Sequence, residues 1–179
     1  MRVFLLAHQD DEIFFLPYLT NSKKNLLIFL TSGVSVDKSR KDEIDRFQES
    51  KILLDKFSQS LNLEIIYWGT YNSIPEGELH LHLDDKGVLE IQDLILSRGE
   101  DLDLILTTTF EGAHQDHDSA AILSRLIGKA LDIEVSEVST YRQWFGTFYS
   151  FRVLNPRLPL PSIDFKRLFN LKLALKLMA

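Results

Sequence analysis

The stretch RVFLLAHQDDE, residues 2–12, decides the fold of this chain. It contains the apolar run VFLLA, residues 3–7, and such a run is typical of a strand buried on both faces of a parallel sheet. In α/β proteins, ligands bind in the loops beyond the carboxyl ends of these strands. Here that loop would hold one imidazole and three carboxylates, His8, Asp10, Asp11 and Glu12, which is more ionisable groups than a turn requires.

A second dense cluster of ionisable residues lies far along the chain. The segment FEGAHQDHDS, residues 110–119, also follows an apolar run, residues 104–106. Because parallel strands end at the same edge of a sheet, this cluster should emerge beside the first one. The sequence therefore predicts that the two loops meet and form a metal site. The ionisable residues of the second loop are Glu111, His114, Asp116, His117 and Asp118.

Strand-like and helix-like patterns alternate along most of the chain. This alternation predicts an α/β fold with a mostly parallel sheet, covered on both faces by right-handed crossovers. We expect one Rossmann-like, three-layer α/β/α domain over residues 1–140. Besides residues 3–7, the predicted strands are 25–31, 61–68, 102–107 and 133–140; the predicted helices are 13–20, 37–58, 88–96 and 119–131, with a loop at 69–77.

Residues 141–179 break this alternation, and we predict an aromatic- and proline-rich extension that packs on the same domain. Its last part, residues 165–178, is expected to form a helix that docks on the domain, or a basic helix that rests on a membrane surface. Its aromatic residues could cover the core, stack on a sugar or join two copies into a homo-oligomer. These aromatic residues are Trp144, Phe145, Phe148 and Tyr149, and the prolines are Pro156, Pro159 and Pro161.

Composition excludes several classes of function. The chain has 179 residues, which suits one sizeable core but not two domains. It contains no cysteine, which excludes disulfides, thiolate ligands and a cysteine nucleophile, and its net charge of −6 argues against a nucleic-acid partner. No apolar run approaches the roughly 20 residues of a transmembrane helix, and the N-terminal run is too short for a signal peptide. We therefore predict a cytoplasmic protein.

The first loop contains the side chains that a hydrolytic metal site requires. Such a site uses about three protein ligands, often imidazoles and a carboxylate, and leaves a position open for water. His8 and Asp11 lie three residues apart where the chain turns into a helix, so both can reach one ion. Asp10, between them, must point differently and can act as the general base.

The second loop can complete that site. Of His114 and His117, one can be a metal ligand while the other faces the substrate. A charged imidazole there would stabilise a developing oxyanion and protonate the leaving group. Asp116 is placed to keep that imidazole charged.

These two loops resemble the motifs of a known family. AHQDDE, residues 7–12, is similar to the AHPDDE motif, and HQDH, residues 114–117, to the HPDH motif, of the LmbE/PIG-L family. Members of that family are metal-dependent N-deacetylases of N-acetylglucosamine conjugates and have a Rossmann-like fold. The resemblance implies that His8, Asp11 and His117 bind Zn²⁺ or another divalent ion. It also implies that Asp10 is the general base and that His114 is the electrostatic stabiliser and acid. In the same comparison, Asp116 would set the charge of His114, and Glu12 would support the site without binding the ion.

The resemblance also implies a substrate, an N-acetylated amino sugar that is free or linked to a lipid or a nucleotide. The family's sugar-facing arginine, in an RxxE pattern, corresponds to Arg46, although Arg40 fits the same spacing. Gln9 and Gln115 replace the two motif prolines, so the loops lose fixed φ angles and we expect weaker preorganisation. The family's acidic sugar contact should fall within residues 69–72, where this chain has no carboxylate.

Other interpretations stay open at the level of sequence. Two histidines and a carboxylate also ligate iron in non-haem oxygenases, although those sites usually occur in β-barrels. A domain could also retain the metal site and bind a glycan or a partner without catalysis. His80 and His82 alternate with leucines, and with Glu78 and Asp84 they would line the solvated face of an edge strand or bind a second metal.

Overall fold

The computed structural model describes residues 1–19, 22–34, 46–58, 60–110, 112 and 114–138, together with the backbone of 142–144 and 147–149. The predicted helix at 165–178, the predicted docking of the C-terminal extension and the first part of the predicted helix 37–58 lie outside these residues. Glu111 and Arg40, both named above, also lie outside them.

The described elements alternate between strands and helices, as the sequence predicted. The strands are β1 (Arg2–Leu6), β2 (Asn25–Phe29), β3 (Leu63–Ile66), β4 (Leu104–Thr108), β5 (Val135–Val138), β6 (Arg142–Trp144) and β7 (Thr147–Tyr149). The helices are α1 (Glu12–Phe15), α2 (described over Arg46–Ser58), α3 (Trp68–Tyr71), α4 (Asp85–Leu96) and α5 (Gln115–Leu131), with 3₁₀ turns at Leu16–Tyr18 and Leu79–Leu81.

Five of these strands form one parallel sheet in the order β3-β2-β1-β4-β5. β1 is central, and its residue Phe4 lies opposite Leu27 of β2 and Leu106 of β4. This order matches the first five strands of a Rossmann-type doubly wound sheet, so the predicted fold class is confirmed. β6 and β7 form a separate antiparallel pair.

The core has two apolar layers because alternate side chains of each strand point to opposite faces of the sheet. On one face Val3 and Leu5 pack in a cluster with side chains of α4 and α5, which include Ile91 and Leu123. On the other face, Phe4 and Leu6 pack in a cluster with Phe15 of α1 and Leu54 of α2. The sheet is therefore covered on both sides, which gives the three-layer architecture.

The helix predicted at 13–20 is shorter than expected. α1 ends at Phe15, and the chain continues as the 3₁₀ turn Leu16–Tyr18 with Pro17 at its start. Proline has no backbone N–H to donate and its ring crowds the preceding turn, so the α-helix cannot run through it. Leu19, which follows this turn, has an extended conformation.

Two other helices begin earlier than their apolar periodicity predicted. α4 begins at Asp85, where Asp84 caps it by accepting a hydrogen bond from the Gly87 N–H (2.9 Å). α5 begins at Gln115, four positions before the predicted start, so Asp116 and His117 belong to its first turn. Polar first turns carry no apolar signal, which is why the sequence pattern missed them.

Two local predictions between β3 and α4 were wrong. The predicted loop 69–77 begins inside a helical turn, α3, that immediately follows β3. His80 and His82 do not alternate along a strand, because Leu79–Leu81 forms a 3₁₀ turn in which Leu79 is buried and Leu81 is 64% exposed. The segment therefore provides no strand face on which His80 and His82 could align.

The strand order also locates the candidate site. β1 and β4 are neighbours, but the helices that follow them, α1 and α5, pack on opposite faces of the sheet. The loops that follow β1 and β4 therefore lie at the switch point of the carboxyl edge, which is where open α/β sheets bind ligands. Within the described residues, no helix combines the length and the apolar character needed to cross a membrane.

Candidate metal centre

The predicted meeting of the two loops is observed. Three imidazoles offer nitrogen atoms that all lie within 4.8 Å of one another. His8 comes from the loop after β1, and His114 and His117 come from the start of α5. The rings of His114 and His117 are stacked at 4.3 Å, and the ring of His8 lies 4.8 Å from that of His114. His8 and His117 are almost fully buried, whereas His114 is partly exposed.

Asp11 lies between two of these imidazoles. Its Oδ1 is 3.3 Å from Nε2 of His117, and its Oδ2 is 3.7 Å from Nδ1 of His8. Oδ2 also accepts a hydrogen bond from the backbone N–H of His8 (2.9 Å). Burial opposes the ionisation of Asp11, but the charge and hydrogen bond of His117, together with His8, outweigh it and lower the pKa of the carboxyl well below its usual range.

Asp116 contacts a different imidazole from the one the sequence assigned to it. Its Oδ2 lies 2.8 Å from Nε2 of His8, whereas the prediction paired it with His114. The same carboxylate accepts hydrogen bonds from the backbone N–H groups of Gly77 (2.6 Å) and Leu79 (3.2 Å). Asp116 therefore orients His8 and at the same time fixes the segment that leads into the 3₁₀ turn Leu79–Leu81.

The pKa values of His8 and His114 are shifted in opposite directions by their surroundings. Burial lowers the pKa of His8, but the hydrogen bond to Asp116 and the charge of Asp11 outweigh it, so the pKa is raised. For His114, burial and the neighbouring His117 and His8 lower the pKa below its ordinary value. The direction of this shift does not favour the charged His114 that the sequence predicted, and the carboxylate expected to hold that charge is bonded to His8.

Asp10 adopts an unusual backbone conformation beside the cluster. Its φ is +138°, in a region that L residues with a side chain rarely adopt. Its backbone N–H donates a 2.7 Å hydrogen bond to Oε2 of Glu12, whose side chain is fully buried. Glu12 thus restrains the turn that carries Asp10.

One acidic residue near the site was missed by the sequence reasoning. Arg46, at the first described position of α2, donates a 2.6 Å hydrogen bond from Nη1 to Oε1 of Glu76. Glu76 lies in the segment after β3, one residue before Gly77, which contacts Asp116, and its charge contributes to the raised pKa of His8. Glu76 is the only carboxylate residue in the sequence of residues 69–77, and this position could have identified it as the acidic residue near the site.

The two glutamines that replace motif prolines differ in their surroundings. Gln9 is completely buried, and its Nε2 donates a 2.8 Å hydrogen bond to the backbone carbonyl of Thr31. Gln115 is exposed at the first position of α5. The expectation that glutamine merely removes a restraint is therefore wrong for Gln9, whose side chain makes a buried tertiary contact.

The donor set fits a metal cation. Three imidazoles and a carboxylate converge from two loops, and this is a ligand chemistry that zinc prefers. Nδ1 of His114 is buried and has no hydrogen-bond partner among the described residues, although a buried imidazole nitrogen normally has one. Within the described residues, these three histidines are the one group of histidine or carboxylate side chains with metal-ligating spacing, and His80 and His82 are not part of it.

Comparison with known proteins adds no independent identification. No protein-family model matches the chain. A search of curated proteins likewise finds no match. The interpretation of this site therefore depends on the geometry of its own residues and on the resemblance of its two motifs.

Proposed function

We propose that this protein is a zinc-dependent hydrolase that removes the N-acetyl group from an N-acetylated amino sugar or its conjugate. One observation carries the proposal: side chains from the HQDDE and HQDH segments, about a hundred residues apart, converge beyond the carboxyl ends of β1 and β4. The predictions of a cytoplasmic location and of a homo-oligomer remain predictions.

The ligands of the ion would come from both loops. Two ligand sets are considered, and both contain His8 and His117. The motif resemblance favours Asp11 as the third ligand, and the two oxygens of Asp11 face the two imidazoles. A zinc ion held there would act as a Lewis acid and lower the pKa of water to about 7. His114 is the competing third ligand, because its ring stacks on His117.

Asp10 is the proposed general base. It follows the buried Gln9 and precedes Asp11, in a turn where the φ of Asp10 is +138°. Its carboxylate would take the proton from the attacking water and later deliver it to the departing amine nitrogen. The C–N bond of the amide breaks, and the products are acetate and the free amino sugar.

His114 would stabilise the transition state in its neutral form. The lowered pKa of this imidazole makes a protonated acid unfavourable at neutral pH. A neutral imidazole still has one N–H, which can donate a hydrogen bond to the developing oxyanion. The sugar hydroxyls would then contact the rim formed by Arg46 and Glu76, whose side chains are 36% and 16% exposed.

The test combines metal analysis with turnover. Purified protein should contain about one zinc per chain by elemental analysis and should release acetate from N-acetylglucosamine or a conjugate of it. Iron with oxygen consumption would support an oxygenase instead. Zinc with saturable sugar binding but without acetate release would support a binding domain, and either result would end the deacetylase proposal.

A further inference from the structure

The side chain of Gln9 connects the loop that contains the metal ligands to the neighbouring strand. It lies between His8 and Asp10 and is completely buried. Its Nε2 donates to the carbonyl of Thr31, which lies two residues beyond the end of β2. A buried amide that bonds a distant backbone carbonyl restrains both segments, because breaking the bond would leave the carbonyl without a partner in the interior.

Thr31 binds both neighbours of His8. Its backbone N–H and its Oγ1 donate to the carbonyl of Ala7, at 3.1 and 2.7 Å, while its own carbonyl accepts from Gln9. Ala7, Gln9 and Thr31 are all fully buried. The backbone of His8 is therefore held on each side by one residue that follows β2, and these three contacts form what we call the Thr31 clamp.

Gly33 completes the surroundings of the Gln9 amide. A Cβ at this position would overlap with Oε1 of Gln9, so the amide occupies the space that a side chain would need. Gly33 also has a φ of +75°, which favours glycine. Oε1 of Gln9 has no hydrogen-bond partner among the described residues, so contact with Gly33 rather than a second bond fixes this end of the amide.

We propose that Gln9 is a positioning residue: through the Thr31 clamp and Gly33 it fixes the backbone of His8 and thereby sets the affinity of the centre for zinc. The proposal rests on the proposed function, since it requires a metal at this centre. Ligands must be held to within about 0.5 Å of their productive positions, and changes in groups behind them typically cost about 10- to 100-fold in metal affinity.

The first experiment measures the zinc dissociation constant of metal-free protein by competition with a chromophoric chelator. Gln9→Met keeps the side-chain volume but removes the donor to Thr31, and should weaken zinc binding about 10-fold or more. Asn25→Leu is the matched control. Asn25 is also fully buried, and its amide donates to the carbonyl of Leu61 (2.6 Å), but it lies at the opposite edge of the sheet.

Three outcomes separate this proposal from the proposed function. Weaker zinc binding in Gln9→Met, with unchanged binding in Asn25→Leu, supports a positioning role. Equal affinity in wild type and Gln9→Met, with both proteins folded, overturns it and leaves the metal centre intact. A wild-type protein that binds no zinc refutes the proposed function, and the positioning role falls with it.

A second pair of variants tests the clamp if Gln9→Met does not fold. Gly33→Ala forces the Gln9 amide to move, whereas in the Gln9→Ala background that amide is absent and only the strain at φ +75° remains. Gly33→Ala should therefore weaken zinc binding more in the wild-type background than in Gln9→Ala. An equal loss in both backgrounds would show that the two positions do not act together, and would overturn the proposal.

Discussion

The two edges of the parallel sheet both carry clusters of ionisable side chains, but the clusters differ in burial and in chemistry. At the amino edge, lysine and arginine pair with carboxylates, as in Lys23–Asp103 (2.6 Å) and Lys24–Glu100 (3.0 Å), and these side chains are 25–43% exposed. At the carboxyl edge, the side chains of His8, Asp11 and His117 are at most 6% exposed. Opposite charges cancel at the first edge, whereas several Lewis bases face one another at the second.

This difference shows which kind of cluster indicates function. The amino edge even contains a cavity of about 260 Å³, lined in part by Lys23, Lys24 and Asp103, but each of these charges is already paired with an opposite one. Exposed ion pairs of this kind add little stability. Buried imidazoles whose nitrogens lie within 4.8 Å of one another are stabilised most by a bound cation. Burial and ligand type therefore indicate a metal site, whereas the number of charges does not.

Removing His117 should have the largest effect. His117→Ala deletes an imidazole that belongs to both ligand sets. Substitutions of residues that only contact the ligands lower metal affinity by up to roughly 100-fold, so the loss of a ligand should lower zinc affinity by well over that factor. Elemental analysis after dialysis would measure the loss. His80→Ala is the control, since His80 is an exposed imidazole outside the cluster, and it should retain full zinc content. Equal zinc in both variants would refute the centre.

Replacing Asp10 should abolish turnover while the metal is retained. Asp10→Asn keeps the shape of the side chain but cannot accept a proton, so kcat for acetate release should fall about 10²- to 10⁴-fold. Zinc content should stay near the wild-type value, because Asp10 is not a proposed ligand. Asp118→Asn is the control, since Asp118 Oδ1 accepts the Gly112 N–H (2.9 Å) near the site but outside the cluster. Unchanged turnover in Asp10→Asn would remove the proposed base.

Replacing Asp116 should have an intermediate and pH-dependent effect. Burial opposes the ionisation of Asp116, but the bonds from His8 and Gly77 lower its pKa in the folded state, while the unfolded value is about 3.9. Its ionised form therefore stabilises the fold above about pH 4, and this contribution disappears as the pH falls through the lowered folded value. Asp116→Asn should cost about 1–3 kcal/mol at pH 7 and less in acid, as measured by urea unfolding.

The control for Asp116 is another carboxylate that accepts a backbone hydrogen bond. Asp84 caps α4 through the Gly87 N–H, and asparagine caps a helix about as well as aspartate, so Asp84→Asn should leave stability nearly unchanged. Zinc affinity should fall about 10- to 100-fold in Asp116→Asn but not in Asp84→Asn, because Asp116, unlike Asp84, contacts the His8 imidazole. A loss of stability that does not change with pH would contradict the role of the charge.

Breaking an ion pair at the amino edge should have the smallest effect. Asp103→Asn removes a carboxylate that contacts Lys23 at 2.6 Å and Arg2 at 3.8 Å. The free energy of unfolding should fall by at most about 1 kcal/mol, and the difference should shrink further in high salt, because these charges are exposed and screened. Zinc affinity should not change. A larger, salt-independent loss would mean that the two edges are less different than their burial indicates.

Much of the fold could be read from local patterns. Buried parallel strands produce continuous apolar runs, and each of the five strands of the parallel sheet lies within or beside its predicted range. The starts of helices were harder to predict from the sequence. The first turn of α5, for example, is polar and so shows no periodic apolar residues. The alternation of leucine and histidine around His80 suggested a strand, but a period of two over five residues does not distinguish a strand from a 3₁₀ turn fixed by one buried leucine.

The sequence by itself determined which residues could bind a metal and that they follow strand ends, because both facts depend on residue type and local order. Only the tertiary structure decided the pairing of Asp116 with His8, the approach of Glu76 to Arg46 and the burial of the Gln9 amide against Thr31. Each of these contacts joins segments at least 22 residues apart. Their partners are selected by the relative positions of β1, β2, α2, α5 and the segment after β3, which no local pattern encodes.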